Sequence, residues 1–166
     1  GACAAAQQTV QALERELSVT EEDSALARLN ASGSGTLPDD ALTLLRSALD
    51  LSARTGGALD PTLYPVVRLW GFTTGDYRVP ADEEIARARS RVGAEHVLID
   101  GDAVTLTGGA MLDFGAVAKG FAAQECADAL SAAGVTAALL SFGGNVQTVG
   151  SKPDGTAWQV GIADPN

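Results

Sequence analysis

"MLDFGAVAKG", residues 111–120, carries the reading of this chain. An apolar run ends in Asp113, Gly115 follows two residues later, and Lys119 comes four residues after that. The spacing predicts a short strand over 110–113, a turn, and a helix from about Ala116 to Ala133 closed by Gly134. A strand that enters a helix through glycine leaves the first helical amides without intrahelical partners and lets another group come close to the backbone. Lys119, one turn in, is placed to reach an anion at that terminus. Asp113 has two uses open to it: to cap the helix, or to accept hydrogen bonds from a polar ligand or support a metal.

The rest of the chain frames this stretch. Residues 4–17 put Ala6, Val10, Leu13 and Leu17 on one helical face. Asp23 or Ser24 can cap a short helix through "ALARLN", and "ASGSGT" (31–36) reads as a flexible loop. Pro38 suits the first turn of a helix to about Arg54, ended by Gly56-Gly57. A short helix is expected around Pro65, the turn "TTGD" follows, and Pro80 opens a helix through "ADEEIARARSRV" that stops at Gly93. "HVLID-GD-AVTLT" (96–107) is a hairpin pattern. "VTAALLSFG" reads as a buried strand, "GGN" as its turn, and "VQTVG" as a second strand. "SKPDGT" reads as a hairpin loop and "AWQVGIA" as a last strand stopped by "DPN". The expectation is one α+β unit, helical first and β-rich later, with one long helix.

Composition narrows the function classes. Of 166 residues 46% are hydrophobic and 19% charged, which suits a globular fold. No stretch approaches the roughly 20 apolar residues that span a bilayer. The formal charge is −10, from 11 Lys+Arg against 21 Asp+Glu, so nucleic acid would be repelled and an anionic ligand must be met by local charge. Cys3 and Cys126 form no metal-binding pattern; Cys126 falls on the stripe Ala118, Ala122, Cys126, Ala129, Ala133 and is expected to be a buried thiol. "GAC" could end a lipoprotein signal, but the simpler reading of Cys3 is an ordinary cysteine near a helix start. His96 lacks a nearby partner in the sequence, and Trp70 and Trp158 read as core or rim aromatics.

Two further glycine-rich loops matter. "TGGALDPT" (55–62) places Asp60 before a proline; on its own, capping is the commoner job for that aspartate. "SFGGNV" (141–146) lies at a strand end, where ligands are often bound. Three close-approach loops in one chain favour a nucleotide-like ligand.

Together, "SVTEEDSALARLN", "TGGALDPTLYPVVRLWGF", "LDFGAVAKGFAAQECADALSAAGV" and "SFGGNVQTVGSKPDGTAWQVGIADP" resemble the ApbE-type FAD:protein FMN transferases over nearly the whole chain. The resemblance implies a T-fold-like α+β domain. It also implies Mg2+-dependent cleavage of FAD, with FMN passing to a threonine or serine of a partner flavoprotein and AMP released. Carried over motif by motif, Ala58, Leu59, Asp60, Asp113 and Lys119 would contact FAD, and the Ala116 carbonyl would ligate Mg2+. Thr20 falls where many members place an aromatic or asparagine against the flavin. The family pattern further implies an earlier strand and a later segment bearing an aspartate and a threonine as metal ligands and a Thr-Ser-Gly motif, so residues 1–166 are expected to be part of a single such domain. Family members are commonly exported, which implies an extracytoplasmic site, periplasmic or lipid-anchored. The alternative reading is a flavin-nucleotide-binding module without catalysis.

Overall fold

The structure, a computed structural model, describes residues 1–164. In chain order its elements are α1 (Ala2–Leu17), α2 (Ala25–Ser32), β1 (Ser34–Thr36), α3 (Asp39–Arg54) and α4 (Tyr64–Val67). They continue with α5 (Asp82–Arg89), β2 (Val97–Asp100), β3 (Ala103–Leu106), α6 (Ala118–Ala132), β4 (Ala138–Phe142) and β5 (Asn145–Val149). The helix-first, strand-later α+β order matches the expectation. These elements fall into two compact units: Leu13–Ala118, and Gly1–Ala12 with the residues from Lys119 onward.

In the Leu13–Ala118 unit, β1, β3 and β2 form an antiparallel sheet in that order. The β2–β3 hairpin turns at Gly101-Asp102, with Val97 opposite Leu106 and Ile99 opposite Val104. Val104 and Leu106 are buried while Ala103 and Thr105 are exposed, so one face of the sheet meets the core. That core is completed by Leu26 and Leu29 of α2, Leu44 and Leu45 of α3, and Leu112 and Phe114. Each such side chain contributes about 1.5–3 kcal/mol by leaving water. Ser24 caps α2 by accepting from the Ala27 amide at 2.9 Å, as one of the two expected caps. Pro38 stands just before α3, where its missing N–H costs nothing, and Asp39 and Asp40 complement the helix dipole.

Residues 34–36 depart from the expected loop. Gly33 ends α2 in a left-handed conformation with its amide on the Leu29 carbonyl at 2.8 Å, and Ser34–Thr36 then pair with Thr105–Ala103 as an edge strand. Local composition favours a loop; a ladder partner distant in sequence overrides it. The expected strand over 110–113 shrinks to one parallel bridge between Met111 and Leu63, and α6 begins at Ala118 rather than Ala116. The Phe114 carbonyl accepts from both Val117 and Ala118, at 2.9 and 2.7 Å, so a tight turn precedes the helix.

In the other unit, α6 buries Ala123, Cys126, Ala127 and Leu130. This i, i+3, i+4, i+7 face replaces the expected alanine stripe because it includes the larger Leu130. Cys126 is a buried free thiol, donating to the Ala6 carbonyl at 3.4 Å, and burial pushes its pKa up. Cys3, inside α1, is exposed. β4 and β5 pair only with each other, from Ala138 opposite Val149 to Phe142 opposite Asn145. β4 alternates half-buried and exposed residues, with Leu139 45% exposed, instead of being buried throughout. Residues 157–163 form no strand and join no ladder among the described residues, although β4 and β5 pair only with each other and leave their outer edges open; Pro165 and Asn166 of the expected stop lie outside the described residues. Trp70 and Trp158 are half-buried rim residues.

α5 starts on an unusual cap. Glu84 accepts from the Ala81 amide at 2.9 Å and from both terminal nitrogens of Arg78, also at 2.9 Å. The Arg78 guanidinium, with the backbone bond second, pulls the Glu84 carboxyl down to about 2. A depressed carboxyl stabilises the fold above its unfolded pKa and loses that effect as pH falls through the folded one. Glu84→Gln is therefore expected to lower the denaturation midpoint at pH 7. The gap from the parent should close as pH falls from about 4.5 towards 2, and urea titrations across that window check it.

Candidate functional site

The segment around Asp113 is held by two clamps. From α2, the Asn30 side chain donates to the Leu112 carbonyl at 2.8 Å and accepts from the Leu112 amide at 2.7 Å, doing for one residue what a neighbouring strand would do. From the other side, the Asp113 amide donates to the Pro61 carbonyl at 2.8 Å, beside the bridge between Met111 and Leu63. Leu112 and Phe114 are 0% and 1% exposed, so the alternation of an extended chain leaves Asp113 facing outward between them.

Asp113 Oδ1 accepts from the Gly115 amide at 2.5 Å. A Cβ on Gly115 would lie 2.8 Å from that oxygen, so a larger residue there would have to displace the aspartate carboxylate from its turn. Asp60 behaves alike. Its Oδ1 accepts from the Thr62 amide at 2.8 Å and the Thr62 hydroxyl at 2.6 Å, and the fully buried Thr62 hydroxyl accepts from Gly93 at 2.7 Å. Both aspartates are half-buried. Each thus spends one oxygen on its own turn, while Oδ2 of each makes no hydrogen bond within the described residues. The turn-forming and ligand-facing uses weighed from the sequence are compatible in geometry.

The loop before Asp60 is tied to the end of α3. The Gly57 amide bonds the Ser52 carbonyl at 2.8 Å and the Leu59 amide bonds the Thr55 hydroxyl at 3.3 Å. Ala58 is exposed and Leu59 half-exposed. Ala116 is exposed, and its carbonyl accepts no backbone hydrogen bond among the described residues, so it is not committed to another backbone group. Lys119 is exposed in the first turn of α6 and belongs to the other unit.

Thr20 lies elsewhere in the Leu13–Ala118 unit. Its amide and hydroxyl both engage the Ser18 hydroxyl, at 3.2 and 3.1 Å, and it lines an open cleft of about 380 Å³. Asn30, Tyr64, Arg68, Thr73 and Met111 share that lining. The cleft touches Asn30 and Met111 of the clamped segment, whereas Ala58, Leu59, Asp60 and Asp113 are not among its walls. Two residues at this site went unread in the sequence. Nothing local in the sequence announces a partner for Asn30 at Leu112. Arg68, the one cation inside the apolar run "YPVVRLW", did carry a signal. Its guanidinium sits 5.7 Å from the Tyr64 ring centroid, and its Nη1 is 3.5 Å from Met111 Sδ. His96, expected to lack a partner, has Nδ1 3.4 Å from the Thr107 hydroxyl.

This is an α+β fold of the kind solved for bacterial flavin transferases. The apo crystal structure of Pseudomonas stutzeri flavinyl transferase ApbE superposes with a TM-score of 0.90 at 35% identity, covering 97% of this chain and 52% of that one. An ApbE protein structure from Thermotoga maritima gives 0.93 at 28% identity, covering 99% and 55%. The profile of the ApbE family matches residues 2–166, and the chain belongs to that family. It is 32% identical over 157 residues to a FAD:protein FMN transferase of Vibrio cholerae serotype O1, covering 91% of this chain and 47% of that protein. It is 34% identical over 182 residues to one of Treponema pallidum, covering 95% and 49%. The chain spans about half the length of the curated relatives it matches.

The Asn30 clamp makes a direct prediction. Asn30→Ala strips partners from both backbone groups of buried Leu112 and should cost about 2 kcal/mol or more. Asn30→Asp keeps the acceptor, loses the donor and sets a carboxylate against the Leu112 carbonyl, so it should rescue little. Equilibrium urea unfolding of both variants checks this.

Proposed function

We propose that this chain forms part of an enzyme that transfers FMN from FAD to a threonine or serine hydroxyl of a partner flavoprotein, with Mg2+ required and AMP released. The observation that carries this reading is the backbone bond from Asp113 to Pro61. It sets "ALDPT" and "LDFGA", the two segments assigned to FAD by resemblance, against each other, each offering a carboxylate oxygen not used by the protein.

In this reading Ala58, Leu59, Asp60, Asp113 and Lys119 contact FAD. Lys119 supplies a point charge beside the amides at the start of α6, which an acidic chain of net charge −10 needs in order to hold a pyrophosphate. Thr20, with a hydroxyl in place of a ring, meets the nucleotide by hydrogen bonding rather than stacking. A hard oxygen donor such as the Ala116 carbonyl suits Mg2+, and among the described residues no cluster of three acidic, histidine or cysteine side chains competes for it. When bound, the metal would neutralise pyrophosphate charge. The acceptor hydroxyl oxygen forms a bond to the FMN phosphorus, the bond from that phosphorus to the bridging oxygen breaks, AMP leaves with that oxygen, and the hydroxyl proton passes to solvent. Resemblance to exported family members supports an extracytoplasmic location, periplasmic or lipid-anchored.

Lys119→Met should weaken FAD binding about tenfold at low salt and less at high salt, because an exposed ammonium acts mainly through its charge. Riboflavin, which has no phosphate, should be indifferent. Asp113→Ala should reduce the thermal stabilisation that FAD and Mg2+ together confer, and EDTA should erase the difference between variant and parent. Fluorescence titrations and melting curves measure both. Equal losses for riboflavin and FAD would place Lys119 away from the phosphates.

A further inference from the structure

We infer that a basic groove beside the cleft is the docking track for an acidic segment of the acceptor protein. This rests on the transferase reading above. Although the chain carries a net charge of −10, Arg68, Arg78 and Arg91 converge with Pro65, Leu69 and Met111 on a hollow of about 280 Å³ that has no carboxylate in its lining. Pro65, Leu69 and Arg91 continue into a second hollow of about 180 Å³, where Ala88 extends the apolar floor, Glu84 is the one carboxylate in the lining, and Arg87 adds a cation 4.0 Å from Glu83. Arg68 and Met111 also line the cleft of about 380 Å³, whose walls include Glu22. The three hollows are therefore contiguous through shared residues, a run longer than a single phosphate needs.

The charges are set in place and partly uncompensated. Arg78 is neutralised by Glu84, but Arg68 and Arg91 make no ion pair among the described residues. Arg68 is held over Tyr64, and the Arg91 stem lies against Gly109, where a Cβ would come within 3.4 Å of its Cδ. Beside Arg78 the chain exposes apolar anchors: Tyr77 is 74% exposed, Val79 90%, and Phe72, whose ring centroid is 6.1 Å from that of Tyr77, 64%. The loop that carries them is tightly closed, since at Gly71, with φ +74°, a side chain would collide with the Asp76 carbonyl. Thr73 and Thr74 of the same loop line the cleft.

Aromatic and arginine side chains around an apolar floor are the composition of a protein-binding surface, whereas a free oxyanion requires neither the floor nor the rings. On an acidic protein, an acidic partner is repelled by most of the surface and drawn to this groove, so charge complementarity selects the partner's chemistry. A segment lying along the groove ends at the cleft lined by Thr20, the residue that the transferase reading sets against the nucleotide.

The test uses a short synthetic peptide alternating aspartate with alanine, carrying one tyrosine and an uncharged dye, and its asparagine counterpart. Both are titrated into the 166-residue chain by fluorescence anisotropy. The aspartate peptide should bind saturably and weaken with salt, the asparagine peptide should not bind, and Arg91→Gln should weaken binding about tenfold while Arg91→Lys retains most of it. Arg91 is not part of the cleft, so FAD binding should be unchanged in Arg91→Gln, which also reports that the variant is folded. Equal binding of the two peptides, or an Arg91→Gln variant that binds as the parent does, would overturn the groove. So would binding of inorganic phosphate with none of either peptide. Peptide binding without any FAD binding by the parent would leave the groove standing and remove its assignment to an acceptor.

Discussion

Leu112 and Asp113 are gripped on both sides, and the rest of the candidate site depends on that grip. The segment is too short to form a strand, and a backbone buried without ladder partners would leave peptide groups unsatisfied at a cost of about 1–3 kcal/mol each. Asn30 answers for Leu112 with a side-chain amide that copies the donor and acceptor of a peptide, and Pro61 answers for Asp113 with its carbonyl. Proline suits this position because only its carbonyl is needed. The result is a one-residue sheet made from three segments distant in sequence, with Leu112 and Phe114 anchored in the core and Asp113 left outside.

That arrangement explains why the two aspartates share one pattern. A carboxylate on a loop loses side-chain entropy if it must hold one orientation for a ligand. Here Asp60 and Asp113 are oriented in advance by bonds to the backbone two residues onward, to Thr62 and Gly115. Buried Thr62 extends the Asp60 network to Gly93, so the loop is braced by the core and not only by itself. Pre-orientation of this kind lowers the cost of binding and puts the remaining oxygens where a ligand can find them. An aspartate can therefore serve as turn-former and ligand contact at once.

Charge is distributed with the same economy. A chain of net charge −10 attracts an anion only where it concentrates cations, and the arginines of the Leu13–Ala118 unit do this around Pro65 and Leu69. Pairing Arg78 with Glu84 fixes the start of α5 and limits repulsion among the arginines, leaving Arg68 and Arg91 as the available charges.

The α+β order, the Ser24 cap, the helix start at Pro38, the β2–β3 hairpin, the β4–β5 turn and the buried Cys126 were all legible in the sequence, because each rests on a local preference or a short-range period. The aspartates and Lys119 were legible as residues with chemistry to offer, through glycine and helix-start signals. Other features were decided by tertiary structure alone. Ser34–Thr36 became a strand because β3 paired with it, residues 157–163 joined no ladder although the β4–β5 pair leaves its outer edges open, and the strand before Asp113 was replaced by the Asn30 and Pro61 clamps. The physical reason is common to all three. A helix or a hairpin satisfies its backbone with neighbours in sequence, so its residues announce it; an isolated extended segment must borrow its partners from elsewhere in the fold, and nothing within the segment says who they are.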